Sequence, residues 1–320
     1  MIRHSASLNP ALMALAVQQG GAFTRHQALQ LGCHDPQLQA LVESGLIVLA
    51  TRGAYYLNPE RDADWPALSS SERAGRTHAL RAVAVLLILP KTLVASHETA
   101  LLLHGLPRLG RSDGTCHVMA MTSSARTRRV RVRTHLHVPG TQLHAAAPRR
   151  VSVADAIAET TCMLGLEAGV VAGDAALHRQ QVELASIEAA CRRLQNRKGA
   201  AVLRQMVQML DGRSESVGES QLRVICGIAG IRTTPQVRVA DRGGPFARVD
   251  LAVDGLKLAV EFDGMVKYRD DHEALVREKR RQERLERAGW IVVRVTWEDL
   301  RNPAEVVRRV RAAMERAVAR

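Results

Sequence analysis

The sequence predicts an α+β multidomain protein, and three observations carry that expectation. At 320 residues the chain is about twice the usual single-domain length. Residues 10–58 alternate short capped helical runs with a hairpin signal. Near the C-terminus, two strand-like runs flank an Asp-Gly turn and lie between amphipathic helices.

In chain order, the first element is a helix, Pro10 to Gln19, closed by Gly20-Gly21. Thr24 caps a second helix, Arg25 to Leu31, and Asp35-Pro36 opens a third that Gly45 ends. Two short helices across a tight Gly-containing turn form a helix-turn-helix. Leu46 to Ala50, a turn at Thr51-Arg52-Gly53, and Ala54 to Leu57 then make a hairpin, so residues 1–60 read as a winged helix-turn-helix. Gln37, Gln39 and Ala40 face outward from the third helix, and Arg52 sits at the tip of the wing, placed to reach duplex DNA.

Residues 61–212 read as a basic, mixed α/β middle domain. A polar segment leads into a helix from Ser71 to Leu89, followed by helices at 96–104, 153–164, 169–179 and 184–194 and strands at 116–121 and 130–138. His97-Glu98 starts like a zinc-protease motif, but Leu101 stands where the second histidine is required. His135 and His137 read as surface residues.

Charge singles out one stretch of this domain. Net charge is +13, and between Arg108 and Arg150 nine arginines face the single acid Asp113. Arg129, Arg131 and Arg133 alternate with Val130 and Val132, which on a strand would align three guanidiniums for a phosphate backbone. Aromatic residues at 3% argue against stacking platforms for single strands, so duplex DNA is the expected partner.

Composition closes off other classes. With 46% hydrophobic and 24% charged residues, a largely disordered chain is excluded. The longest apolar run, Ala82 to Leu89, is too short to cross a bilayer, so no membrane partner is expected. Met1 to Pro10 lacks the features of a secretory signal. Five scattered cysteines without a CxxC pair suit a cytoplasmic location.

The third domain, 213–320, carries the chemistry. A helix capped by Ser214 or Ser216 presents Leu222, Ile225, Cys226 and Ala229 as one stripe, with Glu219 on the same stripe. An inward carboxylate needs a cation or a hydrogen-bond donor. Asp254-Gly255 as a two-residue turn pairs Val253 with Leu256, Asp250 with Ala259 and Arg248 with Glu261. Asp250 and Glu261 are then diagonal neighbours, spaced to share one Mg²⁺ or Mn²⁺. The alternative is that Arg248 pairs with both acids. A helix at 271–288, a strand at 290–297 and a helix at 303–318 complete the domain.

Glu219, then Arg248-Val249-Asp250-Leu251, then Val260-Glu261-Phe262-Asp263-Gly264, then Gly289-Trp290-Ile291-Val292-Val293-Arg294 resemble the PD-(D/E)xK nuclease superfamily, in its branch related to very-short-patch-repair endonucleases. The resemblance implies a restriction-endonuclease-like α/β domain with Mg²⁺ on Asp250 and Glu261 and Glu219 in support. The family's lysine, two residues after the glutamate, is replaced by Asp263. Lys267 or Lys279 would supply the ammonium, and Asp263 would otherwise be a third metal ligand. The N-terminal region, through Gly21-Ala22-Phe23-Thr24-Arg25, Gly45-Leu46-Ile47 and Arg52-Gly53-Ala54-Tyr55-Tyr56, is similar to the AbiEi family of antitoxin winged helices. Ser96-His97-Glu98-Thr99-Ala100 and Leu103-His104-Gly105-Leu106-Pro107 resemble the segment that follows that domain. These resemblances imply either a Mg²⁺-dependent endonuclease that binds DNA, or an antitoxin-type transcriptional regulator with a degenerate nuclease-like domain. The regulator would accompany a toxin of nucleotidyltransferase type.

Overall fold

The computed structural model describes residues 7–319 except 111, 123–126, 128, 130 and 265–271. The chain divides into two compact units, residues 1–168 with 184–203 and residues 169–183 with 204–320. This division does not coincide with the expected boundaries at 60 and 212.

Helix α1 (Pro10–Gln18) starts where the Asn9 side chain accepts the Ala11 N–H and proline takes the first helical position. Strand β1 (Ala22–Thr24) leads into α2 (Arg25–Gln30), whose start is fixed by a capping box between Thr24 and Gln27. Helix α3 (Asp35–Glu43) has His34 at the N-cap position, one residue earlier than expected, and the Asp35 carboxylate instead forms a 2.5 Å ion pair with Arg25. Strands β2 (Ile47–Thr51) and β3 (Ala54–Leu57) form the wing around Gly53, whose φ of +85° suits glycine. Strand β1 pairs with β3, giving an antiparallel sheet in the order β1-β3-β2. Leu12, Ala16, Phe23, Ala28, Leu38, Leu41 and Ile47 fill the core between helices and sheet.

Helix α4 (Ser70–Ile88), opened by a Ser69–Glu72 capping box, packs Val83 and Ala84 against Ala22, Ala54 and Tyr56. The winged helix therefore has a core of its own and shares a second, smaller one with the helix that follows it. Next come β4 (Leu93–Ala95), α5 (His97–Leu103), β5 (Cys116–Ala120) and β6 (Val132–His135), with a sheet ordered β4-β5-β6 and β6 parallel to β5. Helices α6 (Val153–Leu164), α7 (Leu166–His178) and α8 (Leu184–Leu194) follow.

The second unit contains most of α7 together with α9 (Leu203–Met209), α10 (Val217–Ile228), β7 (Thr233–Asp241), β8 (Gly244–Val253), β9 (Leu258–Asp263), α11 (His272–Arg287), β10 (Ile291–Thr296) and α12 (Pro303–Val318). Its sheet runs β10-β9-β8-β7, with β10 parallel to β9 and the other pairs antiparallel. On one face Leu251, Val253, Leu258, Val260, Val293 and Val295 pack with Leu222 and Cys226 of α10 and Val306 and Val310 of α12. On the other, Ala252 and Ala259 pack with Leu285 of α11 and with Trp290. The sheet thus lies between two helical layers.

The hairpin between β8 and β9 corrects the expected register. Leu251 pairs with Val260 and Ala252 with Ala259. Asp254-Gly255 still turns the chain, closed by the Leu256 N–H donating to the Val253 carbonyl at 3.2 Å. Leu256 and Lys257, however, stay outside the ladder, so the loop has four residues rather than two. Carried one residue further, this register sets Glu261 against Asp250 rather than Arg248. Both acids lie two residues from alanines that face α11, so strand alternation puts them on that face.

Candidate functional site

The carboxylates of the second unit are placed by three elements. Glu219 lies in the first turn of α10, where Ser216 caps its N–H. Its carboxylate is buried and accepts from Gln236 Nε2 at 2.8 Å and from the Glu215 N–H at 3.0 Å. Asp250, half-buried on β8, accepts the Phe262 N–H at 2.8 Å. Phe262 is seated by Gly218 of α10, where a Cβ would lie 2.2 Å from the ring. Burial pushes the Asp250 carboxyl up to about 6 against the Phe262 hydrogen bond, and Glu219 and Glu261 add to the rise. Asp250 therefore feels both neighbouring carboxylates.

Glu261 is buried on β9, and its partner is Arg281. The Arg281 guanidinium donates to both Glu261 oxygens, at 2.8 and 2.7 Å, and to both oxygens of Glu278, at 2.8 and 2.9 Å. Arg294 also donates to Glu278. Arg248, the expected partner, instead pairs with Glu215 at 2.7 Å, because the register moved it away from Glu261.

One expected ammonium donor, Lys279, does not join this group. Lys279 is exposed on α11, and two residues along a helix point to different sides, so Arg281 approaches the carboxylates and Lys279 does not. Lys267 lies outside the described residues. Asp263 ends β9, half-buried and in register with Thr296. Carboxylate oxygens are the hard donors that Mg²⁺ or Mn²⁺ prefers. Yet both oxygens of Glu261 are engaged, and among the described residues no group of three or more His, Cys, Asp or Glu is placed to hold a metal. With Arg281 in place, Asp250, Glu261 and Asp263 do not fit a divalent cation. Arg281 and Glu278 were legible only as members of a charged helix. The signal was their spacing, four and seven residues before the buried Leu285, which puts them on its inward stripe.

The winged helix presents its polar residues with part of their bonding used. Gln37 is exposed, and its side-chain oxygen accepts the His34 N–H at 2.8 Å as the α3 cap. Gln39 is exposed and bonded to Glu43 at 2.8 Å. Arg52 is exposed at the tip of the wing. The basic stretch needs a correction. Strand β6 begins only at Val132, and Arg131 takes φ +58° just before it, so a left-handed residue breaks the alternation. Arg133 is exposed on the strand, Arg131 is exposed before it, and Arg129 lies outside the strand and is half-buried. They form no single row.

A histidine cluster lies close to that stretch. His117 Nδ1 and His135 Nε2 are 2.8 Å apart, and the His97 ring stacks on His135 with centroids 3.8 Å apart. His97 holds φ +51°, and its N–H donates to the buried Glu159 at 2.9 Å. Burial pulls His135 down to about 4, with His117 and Arg133 adding to the fall, and burial also lowers His97 and His117. Burial raises Glu159 to about 8. His135 is therefore not a surface residue. The strand and helix that carry its partners are separated from it in sequence, which hid the cluster.

Residues 10–58 match the family described as transcriptional regulators, AbiEi antitoxin. Two proteins of Mycobacterium tuberculosis, uncharacterized protein MT2308 of strain CDC 1551 / Oshkosh and uncharacterized protein Rv2248 of strain H37Rv, are each 29% identical to this chain over 146 residues. The match covers 45% of this chain and 54% of each relative, so the chain spans about half the length of the curated relatives it matches. Among the described residues, no helix is long and apolar enough to cross a membrane.

Proposed function

We propose that this protein is a DNA-binding transcriptional regulator of the antitoxin type, acting in the cytoplasm on duplex DNA. The observation that carries this reading is the winged helix itself. Residues 10–58 match antitoxin transcriptional regulators, and α3 and the wing offer exposed Gln37, Gln39 and Arg52 in the places a groove-reading module uses. A net charge of +13 supports a polyanionic partner. In this reading a toxin of nucleotidyltransferase type is the protein counterpart, and the C-terminal unit is a nuclease-like domain whose carboxylates are closed by Arg281.

The exposed arginines of the middle stretch add phosphate contacts. Replacing Arg131 and Arg133 with Gln flattens the slope of log affinity against log salt by up to about two units, roughly 0.9 per lost contact. Fluorescence anisotropy with a duplex at several salt concentrations checks this, and an unchanged slope assigns both guanidiniums to solvent.

A second reading, a Mg²⁺- or Mn²⁺-dependent endonuclease, is favoured by one observation: Asp250 sits opposite Glu261, with Glu219 near enough to raise its pKa. That reading requires nicking of supercoiled plasmid that EDTA abolishes. The regulator reading gives no nicking.

A further inference from the structure

We propose that Arg281 is the resident cation of the Asp250–Glu261 carboxylate pair, and that it decides whether a divalent ion can enter. The inference rests on this pair as a cation site and is independent of DNA reading by the winged helix.

Two acids placed opposite each other on adjacent strands, one of them buried, repel unless a positive charge lies between or beside them. Here the charge is supplied from α11. The guanidinium is a planar fork that matches a carboxylate bidentately and stays charged at any ordinary pH. Arg281 uses that fork on Glu261 and keeps contact with Glu278, which Arg294 also holds. Leu285, fully buried one turn further along α11, anchors the helix face that delivers it.

Arg281 is thus fixed from both sides and is not a mobile surface arginine. Its hydrogen bonds to Glu278 and Glu261 hold its own pKa above the usual arginine value despite burial. A divalent ion that uses Glu261 must first break two charge-assisted hydrogen bonds and displace a cation. The energy of that displacement is subtracted from the ion's affinity. Once the guanidinium is gone, Glu261 and Asp250 are left as hard oxygen donors with uncompensated charge, which is the condition for binding Mn²⁺ or Mg²⁺.

The test is a calorimetric titration of the full chain with Mn²⁺, comparing the wild type with Arg281→Gln, Arg281→Lys and the double variant Asp250→Asn/Arg281→Gln. Circular dichroism establishes that each is folded. Arg284→Gln is the control, because Arg284 pairs with Asp241 and not with these carboxylates. The expected result is that Arg281→Gln binds Mn²⁺ at least about ten-fold more tightly than wild type and that Asp250→Asn removes the gain. Arg281→Lys, which keeps the charge but loses the fork, falls between and reports the same effect if the glutamine variant does not fold. Equal binding by wild type and both Arg281 variants, still sensitive to Asp250→Asn, overturns the gate while leaving a metal site. Absence of binding in every variant overturns both.

Discussion

Acidification from about pH 7 to about pH 5 is expected to loosen the first unit, and Glu159→Gln to make the loss steeper. Burial, reinforced by Arg108, His117 and Arg81, pulls His78 down to about 4 from an ordinary 6.5, and burial does the same to His104 and His135. A histidine whose folded pKa is depressed stays neutral in the native state while the unfolded chain takes up a proton. Stability is therefore lost as the pH falls through 6.5 towards 4. At about pH 5 this amounts to about 2 kcal/mol for His78 and, reduced for partial hydration, about 1 kcal/mol each for His104 and His135. His97 and His117 act in the same direction. Glu159 opposes them. Its carboxyl is raised to about 8 by burial, so the folded state keeps its proton and regains about 2 kcal/mol over the same interval. Glutamine at 159 removes that compensation and should roughly double the acid loss. Hydrogen exchange of α5 and β5 amides across this pH range reads the effect within the unit. Exchange independent of pH-dependent stability, in both proteins, would mean that these imidazoles are hydrated.

The second large effect concerns the buried pair of the second unit. Asp174 of α7 is fully buried, and Arg223 of α10 donates to it at 2.5 Å. Asp174 also accepts the Asp211 N–H at 2.8 Å, yet burial still raises its pKa. Arg223→Ala strands that carboxylate and is expected to cost about 3–5 kcal/mol in urea unfolding. The double variant Asp174→Leu/Arg223→Met should recover most of it, because two apolar side chains replace two compensated charges. A cost under about 1 kcal/mol for Arg223→Ala would show that water reaches Asp174.

Local chemistry explains what the sequence made legible. The Thr24 cap and the glycines after each short helix set helix boundaries within a few residues, so the winged helix could be read directly. Strand β1 escaped because three residues are too few to show alternation, and its partner β3 comes thirty residues later. The β8–β9 hairpin was recognised by its Asp-Gly turn, but the turn residues alone did not set its register. Lys257 donates to the Ala288 carbonyl at 3.0 Å, a long-range bond that accompanies its place outside the ladder. Glu219 stood out as a carboxylate on an apolar stripe, whereas Asp250 and Glu261 were singled out by the hairpin turn and the family resemblance. Arg281 was harder to find, because on a helix crowded with arginines its four-residue spacing from Leu285 is the signal that marks it as inward.

DNA reading by α3 and the wing is the centre of the functional account. The direct measurement is fluorescence anisotropy of the full chain at low salt, with the duplex upstream of its own gene and with a scrambled duplex of the same length. Preferential binding to the first duplex is expected. Gln37→Ala/Gln39→Ala should erase the preference while retaining general affinity, and Arg52→Ala should weaken binding to both duplexes alike. If the full chain binds neither duplex at low salt, or if the glutamine and wing variants bind as the wild type does, the winged helix does not read DNA and the regulator assignment is contradicted.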